Sequence, residues 1–499
     1  MIMEYILGID IGTGSTKAVA VGQDHIAFDS SQFFYPTDTA QPQHSEQDPE
    51  LIWQAFQKSV TELVSKLGNP PMAISLSSAM HSVIAVDEHC NALAPMMTWA
   101  DSRSTAIAEE LLATPLGLKL YRETGTPVHS MSPLCKIIWI RENQPEFFNN
   151  VYKFISIKEY IWYRLFHTFE VDHSIASCSG LMDVEKLAWS ELALTAAGIT
   201  SAQLSTLVST TYLRDDFEPS SSFDALKAGT PFVMGASDGC LANLGTGAIT
   251  PGIAALTIGT SGALRVAANQ AAPNEAAMTF SYRLDDEIYI NGGPVNNGGI
   301  ALKWHLKNLF QKEQLAAEDY AEALGQMEMV PPGAEGLIFL PYLQGERAPI
   351  WDSKSCGTFF GMRLIHQPRH FTRAVIEGIC FALNDVLKSL EESGQQISQL
   401  NVSGGFVSSA AWLQIMADIT GKRLVLATAE DASAVGAAYL AVKATGISAT
   451  YPLPDRAEST TVEPDQTNHL VYQQYFVVYR KLYANLKGLM SELYTLQTP

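Results

Sequence analysis

Residues 4–22, EYILGIDIGTGSTKAVAVG, place an acid inside an apolar run and decide the fold. Ile9 and Ile11 flank Asp10 in a segment with the pattern of a buried strand, and apolar residues resume after a turn of Gly, Ser and Thr. The stretch therefore predicts two strands joined by a glycine-rich hairpin. Because burying an unpartnered carboxylate costs roughly several kcal/mol, we expect Asp10 to face a cation or another strong partner.

The same strand–turn–strand pattern occurs twice in the chain. Residues 9–21, IDIGTGSTKAVAV, resemble residues 256–268, LTIGTSGALRVAA. The repeat predicts two halves of similar build, with a boundary near residues 246–252, where TGAITPG brings Gly, Thr and Pro together. The expected domains are residues 1–248 and residues 249–499, the second ending in a tail from residue 446 with a terminal helix near 468–493.

Helical and strand patterns alternate along the chain. Residues 48–67 carry apolar positions on one helical face, with Asp48 as a candidate cap at the start and Gly68 after the end. Further elements are predicted as a strand at 72–78, a long helix at 371–393 and a strand over LNVSGG at 400–405. Such alternation is typical of an α/β protein.

The composition is that of a well-packed protein with a strongly acidic charge balance. A chain of 499 residues is long enough for roughly three domains, or for fewer if they are large α/β units. It contains 32 basic and 52 acidic residues, for a formal charge of −20. Because nucleic acids and anionic membranes bind clustered Lys and Arg, this balance argues against both as partners.

The cysteines and the hydropathy pattern predict a cytoplasmic protein. The six cysteines have no metal-ligand spacing, and the closest pair, Cys356 and Cys380, is 24 residues apart. A chain of this size needs no disulfides, so reduced thiols are expected. No basic region precedes the first apolar stretch and no run of about 18 apolar residues occurs, so neither export nor membrane spanning is expected. A homodimer is compatible with the sequence.

The two glycine-rich turns have the composition of phosphate-binding turns. Several N–H groups and hydroxyls in one tight turn can contact the oxygens of one phosphate. Neither turn matches the P-loop or the dinucleotide fingerprint, and a plain hairpin turn is the alternative interpretation. With phosphates bound there, Asp10 would face Mg²⁺, which takes one or two carboxylates together with phosphate oxygens. The residues concerned are Gly12, Thr13, Ser15, Thr16 and Lys17 in the first turn and Gly259 and Thr260 in the second.

Several separated motifs occur in an order that a known family shares. They are DIGTGSTK at 10–17, MSPLCKIIWIREN at 131–143, GASDG at 235–239, TIGTSG at 257–262, GTFFGMRLIHQPRHFTRAVIEG at 357–378 and SGGF at 403–406. Together they resemble the FGGY family of carbohydrate kinases over essentially the full chain. The resemblance implies two ribonuclease H-like, actin-like domains of the α/β class, with ATP, Mg²⁺ and a sugar bound in the cleft between them.

Within that family the chain is most similar to the gluconate kinases. The motifs that carry this similarity are SSAMHSVIAVDEH at 77–89, TWADSR at 98–103, GTPVHSMSPL at 125–134 and NGGPVNNGGIALKW at 291–304. The similarity implies a small sugar acid as the substrate.

Asp238 is a second acid placed after an apolar strand, with small residues on both sides. Small neighbours let a substrate approach the carboxylate, which favours a role in the chemistry. The alternative interpretation is that Asp238 caps the helix that follows. The family resemblance implies that Asp238 accepts the proton of the attacking sugar hydroxyl and so also contacts the sugar. It also implies that the turns at Gly12–Thr13 and Gly259–Thr260 hold the phosphates of ATP from either side.

The resemblance places most nucleotide contacts in the second half. The matching positions are Gly299 and Lys303 at a loop-to-helix junction, and Gly404, Gly405 and Ser409 or its neighbour Ser408 at the adenosine turn. Glycine after a strand lets a flat base or ribose lie against the backbone. Phe406 and Val407 are bulkier than the small residues that many relatives have in this turn, so the sequence departs from the family at the adenine contacts.

The sugar contacts are expected from loops of the first half, where strands end. The candidates are Met80, His81, Trp99 and Arg103. Gluconate carries a carboxylate, and a bidentate arginine is its best single partner in an acidic protein. We therefore predict that Arg103 binds this carboxylate, with His81 and His129 as the next candidates. Related pentulose kinases carry a similar arginine, so Arg103 alone does not separate the two substrate classes.

The leading hypothesis is ATP-dependent phosphorylation of D-gluconate at its terminal hydroxyl to give 6-phosphogluconate. A kinase for a ketopentose such as xylulose is the alternative within the family. An actin-like or chaperone-type ATPase without a sugar substrate is the alternative from another class, and the family motifs argue against it. A sugar sensor without catalysis is disfavoured because Asp10 and Asp238 are both present. Because the phosphate turns lie in different halves, we expect closure on ligands about a hinge near 246–252.

Overall fold

The computed structural model describes residues 4–219, 223, 225–426, 431–454 and 459–497. Each half of the chain is built around one large mixed sheet with helices packed on it. The strands of the first half are β1 (Tyr5–Ile11), β2 (Ser15–Gly22), β3 (Ala27–Phe34), β4 (Glu46–Gln47), β5 (Ile74–Ser78), β6 (Ile84–Val86), β7 (Met96–Met97), β8 (Lys153–Ile155), β9 (Glu170–Asp172), β10 (Met182–Asp183), β11 (Ala188–Trp189), β12 (Thr206–Val208), β13 (Leu213–Arg214) and β14 (Phe232–Ser237). The helices of this half are α1 (Pro49–Leu67), α2 (Thr105–Leu112), α3 (Pro115–Thr124), α4 (Pro133–Asn143), α5 (Pro145–Asn149), α6 (Ile157–Phe166), α7 (His173–Ser177), α8 (Glu191–Ala197) and α9 (Asp238–Gly245).

Residues 246–252 connect α9 to the first strand of the second half. The strands of that half are β15 (Ile253–Ile258), β16 (Gly262–Ala268), β17 (Phe280–Arg283), β18 (Tyr289–Val295), β19 (Ile338–Leu340), β20 (Thr358–Phe360), β21 (Gln399–Ser403), β22 (Arg423–Leu426) and β23 (Thr461–Val462). Its helices are α10 (Gly299–Phe310), α11 (Ala317–Met327), α12 (Pro368–Glu392), α13 (Ala410–Thr420), α14 (Ala432–Ala444) and α15 (Gln466–Gln497). Short 3₁₀ helices lie at Ser201–Gln203, Ala334–Gly336 and Gly405–Ser408.

The two large sheets share one arrangement of strands. In the first, the order is β13-β14-β5-β1-β2-β3, with β1 antiparallel to β2 and parallel to β5. In the second, the order is β17-β18-β16-β15-β21-β22-β23, with β15 antiparallel to β16 and parallel to β21. The repeat in the sequence is therefore a repeat in the structure, and the expected two-domain α/β architecture is confirmed.

Strand alternation explains why an acid occurs inside the apolar run of β1. Ile9 and Ile11 are fully buried in the first-half core, beside side chains of α1. Successive side chains of a strand point to opposite faces, so Asp10 points away from this core. It is in register with Lys17 on β2 and with Ser77 on β5. The carboxylate therefore lies on the face of the sheet that is turned toward the second half.

The helices predicted from the sequence form close to their expected limits. α1 begins after Asp48, whose side chain accepts a hydrogen bond from the Glu50 N–H, and it ends at Gly68, which has a left-handed φ of 73°. The second long helix, α12, begins slightly earlier than predicted, at Pro368, because proline suits the first turn of a helix. The terminal helix α15 is longer than predicted at both ends.

Helices α9 and α14 pack against each other and join the two halves. A Cβ added at Gly245 would lie 2.0 Å from the carbonyl oxygen of Ala432, and one added at Gly436 would lie 2.0 Å from that of Leu241. An apolar cluster surrounds this crossing and includes side chains from both sheets. Because a side chain at either glycine would push the helices apart, the two glycines set how closely the halves approach each other.

The described part of the chain holds no helix that combines the length and the apolar character needed to span a bilayer. The six cysteine thiols are free, and all except Cys356 are buried. Burial raises the pKa of the Cys135 thiol to about 12 and that of the Cys240 thiol to about 11. Since the thiolate is the reactive form of cysteine, these two thiols are unreactive at neutral pH.

Candidate active site

A cavity of about 280 Å³ lies between the two halves. The first half contributes its glycine-rich turn, the loops after β5 and β7, and the start of α9. The second half contributes its own glycine-rich turn, parts of β16 and β17, and the loop after β19. The lining residues that bear on chemistry are Thr13, Met80, His81, Trp99, Asp238, Gly259, Arg265, Tyr282 and Arg347.

The first turn presents Thr13 to the cavity. The Gly12 N–H donates to the Ser15 carbonyl oxygen at 2.9 Å and closes the hairpin. Trp99 Nε1 donates to Thr13 Oγ1 at 3.1 Å, and Gln47 Nε2 donates to the Thr13 carbonyl oxygen at 2.5 Å. Strand β4 and the loop after β7 therefore hold this turn in place, which keeps its N–H groups oriented without a ligand.

Three further residues of the first motif are outside the cavity lining. Thr16 is fully buried on the core side of the sheet, and its hydroxyl donates to Tyr35 Oη at 3.4 Å. Ser15 Oγ accepts a hydrogen bond from a glutamine on β3. Lys17 Nζ lies 2.7 and 2.6 Å from the two carboxylate oxygens of Asp431. Strand alternation turns Thr16 away from the cleft, and an ion pair across the cleft occupies Lys17.

The second turn is docked on the start of α10. The N–H groups of Gly299 and Ile300 donate to the carbonyl oxygens of Gly259 and Thr260, at 2.8 and 3.1 Å. A Cβ added at Gly259 would meet no described atom within 4 Å, so the space over this turn is open. Lys303 lies one helical turn further along α10 and is exposed. The fold thus brings together Gly259, Thr260 and Gly299, with Lys303 nearby.

The expected adenosine turn follows β21 and lies outside the cavity lining. Gly404 has a φ of 99°, and a Cβ there would lie 2.2 Å from the Ile258 carbonyl oxygen, so this position requires glycine. Ser409 Oγ accepts a hydrogen bond from the Trp412 N–H at 3.2 Å and caps α13. Phe406 packs against Trp412 in the second-half core, with the ring centroids 5.8 Å apart. The bulk of Phe406 therefore lies in the core, not over the turn.

Asp238 is the first residue of α9, and Ser237 occupies the N-cap position. Asp238 Oδ1 accepts a hydrogen bond from the Gly239 N–H at 2.6 Å, so this side chain also contributes to the start of the helix. Burial and the charge of Asp10 raise the pKa of Asp238 to about 7, while the charge of Arg265 and the Gly239 N–H oppose the shift. A carboxyl group with this pKa can accept and release a proton near neutral pH, as general-base catalysis requires.

Asp10 lies in the same cleft as Asp238. Ser77 Oγ donates to Asp10 Oδ1 at 2.8 Å. Burial and the charge of Asp431 raise the pKa of Asp10 by more than the Ser77 hydrogen bond and the charge of Lys17 lower it, so the net shift is upward. Among the described residues no cluster of three or more His, Cys, Asp or Glu side chains could hold a metal by itself. A single carboxylate beside a glycine-rich turn would suit Mg²⁺ bound together with phosphates, because this ion keeps several waters and shares phosphate oxygens.

Three of the sugar-side candidates, Met80, His81 and Trp99, line the cavity. His81 Nδ1 lies 2.8 Å from the Cys178 carbonyl oxygen, which can only accept, so Nδ1 carries the proton. Burial and the charge of Lys136 lower the pKa of His81 to about 3, so the ring is neutral. Lys136, which the sequence analysis did not single out, donates to the carbonyl oxygens of His81 and of the residue before Trp99, at 2.6 Å each. This buried lysine holds the two sugar-side loops together.

Arg103 lies outside the described lining of the cavity. Its Nε donates to Asp101 at 3.0 Å, and its Nη2 donates to Asp101 at 2.7 Å and to Glu46 at 2.5 Å. The guanidinium also covers the Trp139 ring, 5.0 Å from its centroid. Carboxylates of the protein therefore use the donors that were expected to bind a substrate carboxylate. His129 is also outside the lining and packs on a tryptophan ring.

Two arginines that the sequence analysis passed over, Arg265 and Arg347, line the cavity. Arg265 interrupts the apolar strand 262–268 much as Asp10 interrupts β1, so the same irregularity could have identified it. Arg347 lies in a stretch, residues 337–351, that contains only one other charged residue. The sequence therefore marks both arginines as charges inside apolar stretches, but it does not show that they line the same cavity. That depends on how the second half folds.

Comparison with known proteins agrees with this geometry. The N-terminal domain of the FGGY family of carbohydrate kinases matches residues 5–245, and the C-terminal domain of that family matches residues 254–445. The matched family consists of carbohydrate kinases, so the chain is a phosphotransferase of this class, and its α/β fold of two similar halves, with an acid and two glycine-rich turns facing one cleft, agrees with that. The chain belongs to the FGGY family of carbohydrate kinases.

Individual relatives are similar over most of the chain. The gluconokinase of Bacillus subtilis (strain 168) is 40% identical over 450 residues, which cover 89% of this chain and 88% of that protein. Two solved structures from Lactobacillus acidophilus, a gluconate kinase and a ligand-bound xylulose kinase, each align with a TM-score of 0.92 at 32% identity. Each alignment covers 98% of this chain and 100% of the other.

Proposed function

We propose that this carbohydrate kinase transfers the γ-phosphate of ATP to the terminal hydroxyl of D-gluconate and forms 6-phosphogluconate. The observation that carries the proposal is Asp238, a carboxyl group with a pKa of about 7, in a cavity that both glycine-rich turns reach. The identity of 40% to the Bacillus subtilis gluconokinase supports gluconate as the substrate. The positive side chains Arg265 and Arg347 in the cavity lining also suit a sugar acid.

In this mechanism Asp238 orients the attacking hydroxyl and accepts its proton. The Gly239 N–H holds Asp238 Oδ1, which leaves Oδ2 for the substrate. The neutral His81 can accept a hydrogen bond from a substrate hydroxyl at Nε2, because its Nδ1 donates to the backbone. Phosphoryl transfer needs little covalent help from a protein, so these residues act mainly by positioning.

The nucleotide and the metal would be held by residues from both halves. When Mg²⁺ and ATP are bound, ATP supplies the phosphoryl group and Mg²⁺ neutralises charge on the phosphate oxygens. Asp10 would hold the metal, and the turns at Gly12–Thr13 and Gly259–Thr260 would hold the phosphates through the N–H groups and hydroxyls of Thr13 and Thr260. The N–H groups of the two glycines close the turns instead. Cβ atoms added at Gly259 and Gly405 would meet no described atom within 4 Å, which leaves room for a ligand. The remaining nucleotide contacts would come from Gly299, Lys303, Gly404, Gly405 and Ser409.

Phosphorylation of a ketopentose such as D-xylulose is the second candidate function. The xylulose kinase of Lactobacillus acidophilus matches this chain with the same TM-score and identity as the gluconate kinase of that species. A neutral ketose offers hydroxyl groups to Arg265 and Arg347 but leaves their charge without a counter-charge. The charge of the cavity therefore favours gluconate.

An assay of ADP release with D-gluconate, D-xylulose and neutral hexitols as separate substrates tests the proposal. We expect ADP release to depend on gluconate, and mass spectrometry to identify a singly phosphorylated gluconate. A preference for xylulose would overturn the choice of substrate. ADP release that is unchanged by any sugar would point to an actin-like or chaperone-type ATPase.

We also propose that the enzyme acts in the cytoplasm as a homodimer. Apolar side chains at Phe360, Met362 and Leu364, in and after β20, are exposed and could be covered by a second copy. Light scattering of the purified protein measures its mass directly, and a monomer at micromolar concentration would contradict the dimer. Fractionation of the cells that make the protein tests its location.

A further inference from the structure

Arg265 is a cationic side chain in the cavity whose charge acts on Asp238, yet no hydrogen bond from its guanidinium to a described residue is found. It projects from β16 into the cavity, while its neighbours Leu264 and Val266 point into the second-half core. Its Nε is buried and has no hydrogen-bond partner among the described residues. A Cβ added at Gly239 would lie 3.1 Å from this Nε, so the side chain packs against the start of α9. A buried donor is rarely left unpaired without a functional reason.

Arg347 reaches the same cavity from the loop after β19. Its Nε donates to Asn296 Oδ1 at 2.7 Å, and its guanidinium lies over the Trp99 ring, 5.0 Å from the centroid. These contacts fix the plane of the guanidinium, and Nη1 makes no hydrogen bond to a described residue. The neighbouring Glu346 accepts hydrogen bonds from backbone N–H groups and from the Asn297 amide. Its charge acts on the guanidinium, but no hydrogen bond between the two side chains is described.

Among the described residues that line the cavity, cationic side chains outnumber carboxylates. Asp238 is the only carboxylate among the described residues of the lining, whereas Arg265 and Arg347 are both cationic. The proximity of Arg265 contributes to lowering the pKa of Arg347, which burial brings to about 10. Two like charges in one cavity repel each other, and Asp238 must remain free to receive a proton. An anionic group of the substrate would relieve the repulsion and use the open donors.

We propose that Arg265 and Arg347 together bind the carboxylate of the sugar acid and so make the enzyme selective for aldonates over neutral sugars. This inference rests on the proposed function, in which Asp238 receives the terminal hydroxyl at the other end of the substrate. A carboxylate matches the planar fork of a guanidinium, which donates two parallel hydrogen bonds. Arg103 differs from both residues, because Asp101 and Glu46 already accept its hydrogen bonds.

The test compares D-gluconate with D-gluconamide, its neutral amide of the same length. In Arg265→Met and in Arg347→Met, kcat/KM for gluconate should fall by roughly 30-fold or more, the loss typical of removing one partner of a buried charge pair. The value for gluconamide should change little when it is measured well above the pKa of Asp238, because Arg265→Met also removes a charge that lowers that pKa. Arg265→Lys should keep part of the preference for gluconate, because an ammonium retains the charge but lacks the fork. Arg423→Met is the matched control, since this arginine is half-exposed on β22 and pairs with Glu463.

A binding measurement separates this inference from the proposed function. Thermal stabilisation by gluconate without ATP should be lost in both methionine variants and kept in Arg423→Met. Equal losses on gluconate and gluconamide would overturn the inference, because the arginines would then act on the transferred phosphoryl group or on Asp238. Gluconate binding that depends on Arg265 without gluconate phosphorylation would support the inference and refute the proposed function. Absence of gluconate binding to the wild-type protein would overturn both.

Discussion

Lys17 and Asp431 form an ion pair across the cleft, with Nζ 2.6 Å from Oδ2. Lys17 lies on β2, in the hairpin that carries Asp10, and Asp431 precedes the first residue of α14 in the second half. Both side chains are about a quarter exposed, at 24% and 26%. A pair at this exposure contributes roughly 0–1 kcal/mol to stability, so its main effect is on how the two halves are held relative to each other.

The two halves should close on their ligands about residues 246–252. The phosphate turns lie on different halves, so both contact one nucleotide only when the cleft is closed. Small-angle X-ray scattering should show a smaller radius of gyration with gluconate and a non-hydrolysable ATP analogue than without them. Lys17→Met should widen the distribution of free-state conformations, whereas Lys66→Met, which removes a pair with Asp29 inside the first half, should not. Identical scattering with and without saturating ligands would refute closure.

Asp238→Asn should abolish turnover without loss of gluconate binding. Asparagine keeps the shape of the side chain but cannot accept the hydroxyl proton, and general-base catalysis is typically worth about 10²- to 10⁴-fold. Steady-state rates and calorimetric titration with gluconate measure the two effects separately. Asp215→Asn, at an exposed loop position, serves as the control. A variant with more than about a tenth of the wild-type rate would leave Asp238 only a role at the start of α9.

The rate should depend on pH through the ionisation of Asp238. Only the carboxylate form accepts a proton, and the pKa of Asp238 is about 7. The value of kcat/KM for gluconate should therefore fall about tenfold per pH unit well below pH 7 and level off above it. A pH profile measured at saturating Mg²⁺-ATP tests this, and a profile that stays flat down to pH 5 would exclude Asp238 as the base.

The same pKa predicts how the stability of the protein changes with pH. Because the folded-state pKa of Asp238 lies above its unfolded value of about 3.9, the native state binds the proton more tightly. Its contribution to the free energy of unfolding therefore falls as pH rises from about 4 to about 7. Asparagine does not ionise, so Asp238→Asn removes this pH-dependent loss of stability. The melting temperature of the variant should therefore exceed that of the wild type at pH 8. The difference should disappear toward pH 4.

Gly245→Ala should destabilise the protein through the contact between α9 and α14. The added Cβ would lie 2.0 Å from the Ala432 carbonyl oxygen, and overpacking of this kind typically costs about 1–3 kcal/mol. Gly488→Ala is the matched control, because a Cβ there, in the middle of α15, meets no described atom within 4 Å. Alanine in that helix should stabilise the protein by roughly 0.5–1 kcal/mol. Equal melting temperatures for the two variants would show that the helices do not pack this closely.

Features that depend on neighbours in the chain were predictable from the sequence. The ends of α1 follow from Asp48, which accepts the Glu50 N–H, and from Gly68, which adopts a left-handed φ. Asp10 and Asp238 were found for the same reason, because an acid beside an apolar strand is an irregularity visible within a few residues. The repeated hairpin likewise predicted two similar halves, since the pairing of β1 with β2 and of β15 with β16 is local.

Which arginines line the cavity could not be predicted in this way. Arg103 is occupied by Glu46, which is 57 residues away in sequence, and no local pattern shows that the fold brings these two charges together. Arg265 Nε has no hydrogen-bond partner among the described residues, because strand alternation turns the side chain into a cavity with walls from both halves. Coulomb energies depend on distances in space, not along the chain. The kind of enzyme can therefore be predicted from the sequence, whereas the packing of the two halves determines which charged side chains line the cavity.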